Sequence, residues 1–183
     1  MVEHSEDKID ENQLVRTAKT DPSAFGELYR RYVERVYKYI YSYCENGLQA
    51  EDATAQTFLA AFESIHRCKN EEHFASWLFA IAHNKTMDTF RQQRKSVPFE
   101  EIDIPSSEDD PLSQVVQTEQ SETLAHMIQA LTNDEKELLR LRFLAKLSYA
   151  DMGQLLHRSE DSVKKSTYRL LARLHDQMEG SND

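Results

Sequence analysis

The chain has 183 residues, with 32 acidic and 22 basic side chains, a net charge of −10, 39% apolar residues and only four glycines and four prolines. That length allows one ordinary domain or two small ones, and so few turn-formers disfavour a sandwich or barrel. No run approaches the roughly eighteen apolar residues of a membrane span, the acidic start lacks a leader's basic-then-apolar order, and Cys44 and Cys68 form neither a CxxC pair nor a disulfide framework, so a cytoplasmic all-α protein without membrane insertion is expected.

Residues 1–23 hold six acids and three bases and read as an acidic tail. Asp21-Pro22 has the form of an N-cap followed by proline at the first helical position. Phe25, Leu28, Tyr29, Tyr32, Val33, Val36, Ile40 and Tyr43 then follow the i, i+3, i+4, i+7 spacing of one helix face. Asn46-Gly47 is expected to stop that helix in a left-handed turn. A second helix from about Gln49 should bury Ala50, Ala53, Phe58, Leu59, Phe62 and Ile65. Its exposed side then offers Glu51, Asp52, Thr54 and Gln56, the first two also suiting the helix dipole. A third helix, from about Glu72 to Lys95, packs Phe74, Trp77, Leu78, Ile81 and Ala82 and ends in a polar half with Asn84, Arg91, Arg94 and Lys95.

Residues 96–122 hold eight acids, no base and three of the four prolines. Such a stretch has little to bury and repels itself, so 96–118 should be a flexible acidic linker. Leu124, Ile128 and Leu131 begin a second lobe, and Thr132 with Glu135 forms a capping box for a helix carrying Leu138, Leu139, Leu141 and Leu144. Ser148 starts a short helix with Met152, Leu155 and Leu156. After a turn at His157-Arg158, Ser159 caps a last helix with Val163, Thr167, Leu170, Leu171 and Leu174 inward. Two short helices across a tight turn, the second bearing cations outward, are helix-turn-helix layout. Lys164, Lys165 and Arg169 suit phosphates or base edges, although a solvated amphipathic helix would show the same pattern.

The order of these blocks resembles the extracytoplasmic-function (ECF) group of the bacterial sigma-70 family. AEDATAQTF over Ala50–Phe58 is similar to that family's polymerase-docking block, with Ala55-Gln56 where Gln-Glu is usual. FASWLFAIAHN over Phe74–Asn84, continuing to Arg91, is similar to its minus-ten block, and Ser148–Leu174 to its region-four helix-turn-helix. In that helix-turn-helix, His157 stands where glycine is common.

The resemblance implies two small helical domains, 13–95 as region 2 and 119–178 as region 4, joined by the linker 96–118. It implies core-polymerase contacts from Glu51, Asp52, Thr54 and Gln56. It also implies minus-ten contacts from Asn84, Arg91, Arg94 and Lys95, and minus-thirty-five contacts from Arg158, Ser159, Ser162, Lys164, Lys165 and Arg169. The partners implied are core RNA polymerase, promoter DNA and an anti-sigma factor, with the free chain a monomer. A helix-turn-helix regulator working without polymerase is the alternative; it would not need the 50–58 block. No cofactor, catalytic constellation or metal is expected, since His66, Cys68, His73 and His83 match no standard zinc spacing.

Overall fold

The computed structural model describes the backbone over residues 3–44, 46–96 and 119–180, and side chains over 11–44, 46–88 and 124–180. The linker expected over 96–118, apart from Ser96, lies outside the described residues, as do the side chains of Arg91, Arg94 and Lys95. Every regular element among the described residues is helical.

Lobe one comprises α1 (Glu3–Ala18), α2 (Pro22–Cys44), α3 (Gly47–Ser64) and α4 (Phe74–Ser96). The expected N-terminal tail is therefore a helix. Val15 and Ala18 of α1 are buried, the Tyr32 hydroxyl donates to Glu11 Oε1 at 2.8 Å, and Lys19 Nζ donates to Glu71 Oε1 at 2.6 Å. Few apolar positions mark α1, so its helicity comes from packing rather than pattern. α2 starts as expected, with Ser23 N donating to Asp21 Oδ1 at 2.8 Å. Its buried stripe includes Tyr39, fully enclosed, whereas Tyr29 is exposed and meets Phe58 edge-on at 4.8 Å.

Asn46 is not a left-handed stop. Its backbone is extended (φ −128°), its side chain accepts from Gln49 N, and Gly47 opens α3. With only this short gap between α2 and α3, the asparagine serves the next helix as N-cap, the other role its short amide suits. The buried stripe of α3 is Ala50, Ala53, Thr54, Thr57, Phe58 and Ala61. Both threonine hydroxyls donate to carbonyls one turn back, to Ala50 O at 2.6 Å and Ala53 O at 2.7 Å, which makes their burial tolerable. Leu59 and Phe62, expected inside, are 59% and 44% exposed. Two 3₁₀ turns, Ile65–Arg67 and Glu71–His73, precede α4, so the α-helix begins at Phe74 rather than Glu72.

Lobe two comprises α5 (Glu119–Gln129), α6 (Asn133–Leu139), which runs into a π-helical turn Arg140–Leu144, α7 (Tyr149–Leu156) and α8 (Glu160–Gly180). The Thr132–Glu135 capping box forms, and Ser148 accepts from Asp151 N at 3.1 Å. His157 takes the left-handed conformation (φ 53°, ψ 41°) that ends α7, and Ser162 N donates to Ser159 Oγ at 3.3 Å at the start of α8. Leu138, Leu141, Leu147, Met152, Val163, Leu170 and Leu174 are buried. The two lobes touch: α7 packs on α4 and the π-helical turn on α2, and their buried residues form one cluster.

Candidate functional site

Three surfaces carry the residues singled out above. On α3, Glu51, Asp52 and Gln56 are exposed, and Gln56 Nε2 donates to Asp52 Oδ2 at 2.7 Å. Thr54 is not on that face: it is 6% exposed and its hydroxyl is spent on Ala50 O, so it is a core residue of α3. Leu59 and Phe62 take its place. Asp52, Gln56, Leu59 and Glu63 follow i, i+4, i+7 and i+11, one outward stripe with an apolar centre. That stripe was readable: once alanines and threonines are accepted as core, Leu59 and Phe62 must point out.

The second surface is α4 with the loop before it. Asn84 is exposed on α4. In the loop, Arg67, Lys69 and Asn70 are exposed and Asn70 Oδ1 accepts from Glu72 N at 3.1 Å. The loop is fastened to α1 by Glu71, whose carboxyl is held below the usual glutamate range, chiefly by Lys19. Cys68 is buried, and burial pushes its thiol up, opposite to what a reactive cysteine needs. A cleft of about 300 Å³ lies between this loop and lobe two, with Asn70, His73 and Trp77 on one wall and Gln154, Leu155 and His157 on the other. His73 Nδ1 stands 3.3 Å from Asp151 Oδ1 across it. Among the described residues no three His, Cys, Asp or Glu side chains gather as a metal site requires.

The third surface is the outward face of α8, where Lys164, Lys165, Tyr168 and Arg169 are exposed. Gly153 explains how α7 reaches α8: a Cβ there would sit 2.7 Å from Arg158 O. Arg158 lies back along α8, its Nη2 donating to Ser162 Oγ at 2.9 Å and Ser166 Oγ at 2.7 Å. Ser162 is therefore tied to Arg158, while Ser159 caps the helix.

The sequence signalled nothing of the contact between lobes. Tyr39 OH donates to Glu137 Oε1 at 2.8 Å, and Tyr43 OH donates to Glu137 Oε2. Both hydroxyl protons are thereby committed, so His83 Nδ1, 3.0 Å from Tyr39 OH, is the donor of that pair. Burial, reinforced by Glu137, pushes both tyrosines well above their ordinary range and keeps them protonated. Arg140 stacks 3.9 Å above the Tyr43 ring and donates to Ser42 Oγ and Ser42 O. From α2, Arg35 donates through Nε and Nη2 to Ala145 O at 2.8 and 2.5 Å and to Lys146 O at 3.3 Å.

Family models match both lobes: Sigma-70 region 2 over residues 28–96 and Sigma-70, region 4 over residues 121–174. The ECF RNA polymerase sigma factor BldN of Streptomyces coelicolor is 31% identical over 167 residues, which cover 88% of this chain and 63% of BldN. The ECF factor SigM of Bacillus subtilis is 29% identical over 149 residues, 81% of this chain and 91% of SigM. The solved structure of CnrH in complex with the cytosolic domain of CnrY shares the fold, with a TM-score of 0.63 at 21% identity over 93% of this chain and 97% of CnrH. A region 2 lobe followed by a region 4 lobe defines a sigma-type protein. The chain belongs to the ECF group of the sigma-70 family of RNA polymerase sigma factors. A regulator working without polymerase is not favoured, since it would have no use for region 2. No helix among the described residues is long and apolar enough to cross a membrane.

Proposed function

We propose that this chain lends promoter recognition to core RNA polymerase in the cytoplasm, itself contributing binding rather than catalysis. Domain limits of 13–95 and 119–178 with the tether 96–118 fit this reading. The exposed α3 stripe, with Glu51, Asp52 and Gln56 around Leu59 and Phe62, supports a docking face for a helical element of the polymerase. An apolar centre with a charged rim is how such interfaces are built. Asn84, with Arg91, Arg94 and Lys95 further along α4, would meet the minus-ten element, where opening the strands requires polar groups for a base and cations for the backbone. Lys164, Lys165 and Arg169 would read or grip the minus-thirty-five element from the major groove, with Arg158, Ser159 and Ser162 toward the flanking phosphates. An anti-sigma factor as partner and a monomeric free chain complete the reading.

One observation carries it: the α3 stripe and the cationic α8 face are both open to solvent on a chain matched by region 2 and region 4. The test is transcription in vitro by core polymerase with this protein, on fragmented genomic DNA, with sequencing of the transcript starts. Starts should share two spaced sequence elements, and Asp52→Arg should reduce core binding at least tenfold while the helix content stays the same. Starts without shared elements, or unchanged core affinity in that variant, would remove the assignment.

A further inference from the structure

Hydroxyls within these helices commonly bond to their own backbone. Thr57, Ser64, Thr86 and Thr167 each donate to the carbonyl four residues back, at 2.7, 2.5, 2.8 and 2.9 Å. Ser162 and Ser166 of α8 do otherwise. Among the described residues no carbonyl accepts from either hydroxyl; both accept from Arg158 Nη2, at 2.9 and 2.7 Å. Four residues separate Ser162 from Ser166, so the two lie one above the other on one face of α8. An exposed arginine would ordinarily keep its rotamer freedom in water. Here the backbone is fixed first: His157 turns the chain in its left-handed conformation, and Arg158 N donates to Gly153 O at 2.9 Å. The side chain leaves from that fixed point, and the serines hold its far end.

The hydrogens left over decide what this guanidinium can bind. An arginine reads a guanine through two parallel N–H groups, and both such edges of the fork, Nε with Nη2 and Nη1 with Nη2, include Nη2. Both hydrogens of Nη2 are turned to the serines. No parallel pair is therefore free for a base edge. The full charge remains, with single N–H groups on Nε and Nη1, which have no partner among the described residues. The hydroxyl protons of Ser162 and Ser166 remain as well. Charge with several separate donors suits the oxygens of a phosphate. Lys165 and Arg169, three residues on from each serine, are exposed and keep that flank of α8 cationic.

We propose that Ser162 and Ser166 are positioning residues that hold Arg158 ready as a clamp for one DNA backbone phosphate beside α8. The clamp fixes the register of that helix on the duplex and reads no base. Because the guanidinium is ordered before DNA arrives, little of its rotamer freedom is lost on binding. Sequence reading is left to the cations that no serine ties down. The phosphate rests on the promoter-binding function proposed above; the fixing of Arg158 does not.

The test uses the full-length protein, alone and bound to core polymerase. In the free protein, NMR relaxation of the Arg158 Nε–H group should show a restricted side chain. Ser166→Ala should mobilise it, and Ser166→Thr, which keeps the hydroxyl, should not. Binding is then measured for the polymerase complex on duplexes carrying the promoter elements that transcript starts define. Arg158→Gln should weaken binding by about tenfold, equally on every variant of the minus-thirty-five sequence, and lower the salt slope by about one. Ser166→Ala should weaken it by about threefold to fivefold, at unchanged helix content and unchanged affinity for core polymerase. Adding Ser166→Ala to Arg158→Gln should cost nothing more, because a serine that acts only through Arg158 loses its effect with it. A mobile Arg158 in the wild type, a base preference altered by Arg158→Gln, or losses that simply add would overturn the clamp. An ordered Arg158 in a complex that never engages a defined promoter would instead remove the function, and the phosphate with it, while leaving the positioning by the serines intact.

Discussion

An alanine at position 153 would place its Cβ 2.7 Å from Arg158 O and 3.3 Å from Glu160 N, both backbone atoms that cannot swing away. Alanine in a helix gains about 1 kcal/mol over glycine, but forcing α7 and α8 apart costs about 1–3 kcal/mol. Gly153→Ala is therefore expected to lose stability despite the better helix former. Four residues on, His157 holds a left-handed backbone that costs a non-glycine residue roughly 1–2 kcal/mol. His157→Gly should gain up to about 1 kcal/mol after the entropy of the unfolded glycine is counted. Urea unfolding of both variants at constant slope checks the pair, and two changes of the same sign would contradict it. Both positions were legible because the constraint is local. Tyr39 lies on the stripe of α2, three residues after Val36 and seven after Tyr32, so its burial was legible as well, whereas its partners His83 of α4 and Glu137 of α6 were not.

Helix ends follow the same logic of near and far. Thr132, Ser148 and Asp21 cap as their spacing demands, since each cap needs only its own next turn. The faces of α3 were harder, because a threonine looks polar until its hydroxyl is seen bonding one turn back. Glu135 gives this scale a measurable signature. The Thr132 N–H, and after it Arg173, hold its carboxyl below the ordinary glutamate range. A depressed folded value means a contribution complete above the unfolded value, near pH 4.3, and lost as pH falls through the folded one. The pair is exposed, so the effect is at most about 1 kcal/mol. Glu135→Gln should be less stable than wild type at pH 7, and the two should converge as the pH falls through the depressed folded value. A difference that stays constant with pH would assign the effect to shape rather than charge. Thr132→Ala should cost about 1 kcal/mol at pH 7 and less in acid, since its hydroxyl also donates to the Glu135 carboxylate.

At the scale of the whole molecule, two near-neutral lobes and an acidic middle segment were readable from charge alone, because composition survives averaging along the chain. The seam between lobes was not, since the period that puts Tyr39 and Tyr43 on one face of α2 says nothing of Glu137 and Arg140 far along the chain, and these side chains meet only in three dimensions. The uneven charge has its own consequence. The lobes carry +1 over residues 24–95 and zero over 123–183, against −8 over 96–122. On the function proposed above, acids joined to lobes that bear Lys164, Lys165 and Arg169 would compete with DNA phosphates for those cations and repel the duplex. Replacing Glu100, Glu101, Asp103, Glu108, Asp109 and Asp110 by their amides should therefore raise the affinity of the free factor for a 30-base-pair duplex several-fold at 50 mM salt. At that ionic strength screening lengths exceed about 10 Å, and near 0.5 M they shrink below half that. Fluorescence anisotropy across this range should show the gain vanish as salt rises. A gain that persisted at high salt would mean that the segment acts through shape, and no gain at low salt would mean that its charge never reaches the DNA-facing surface.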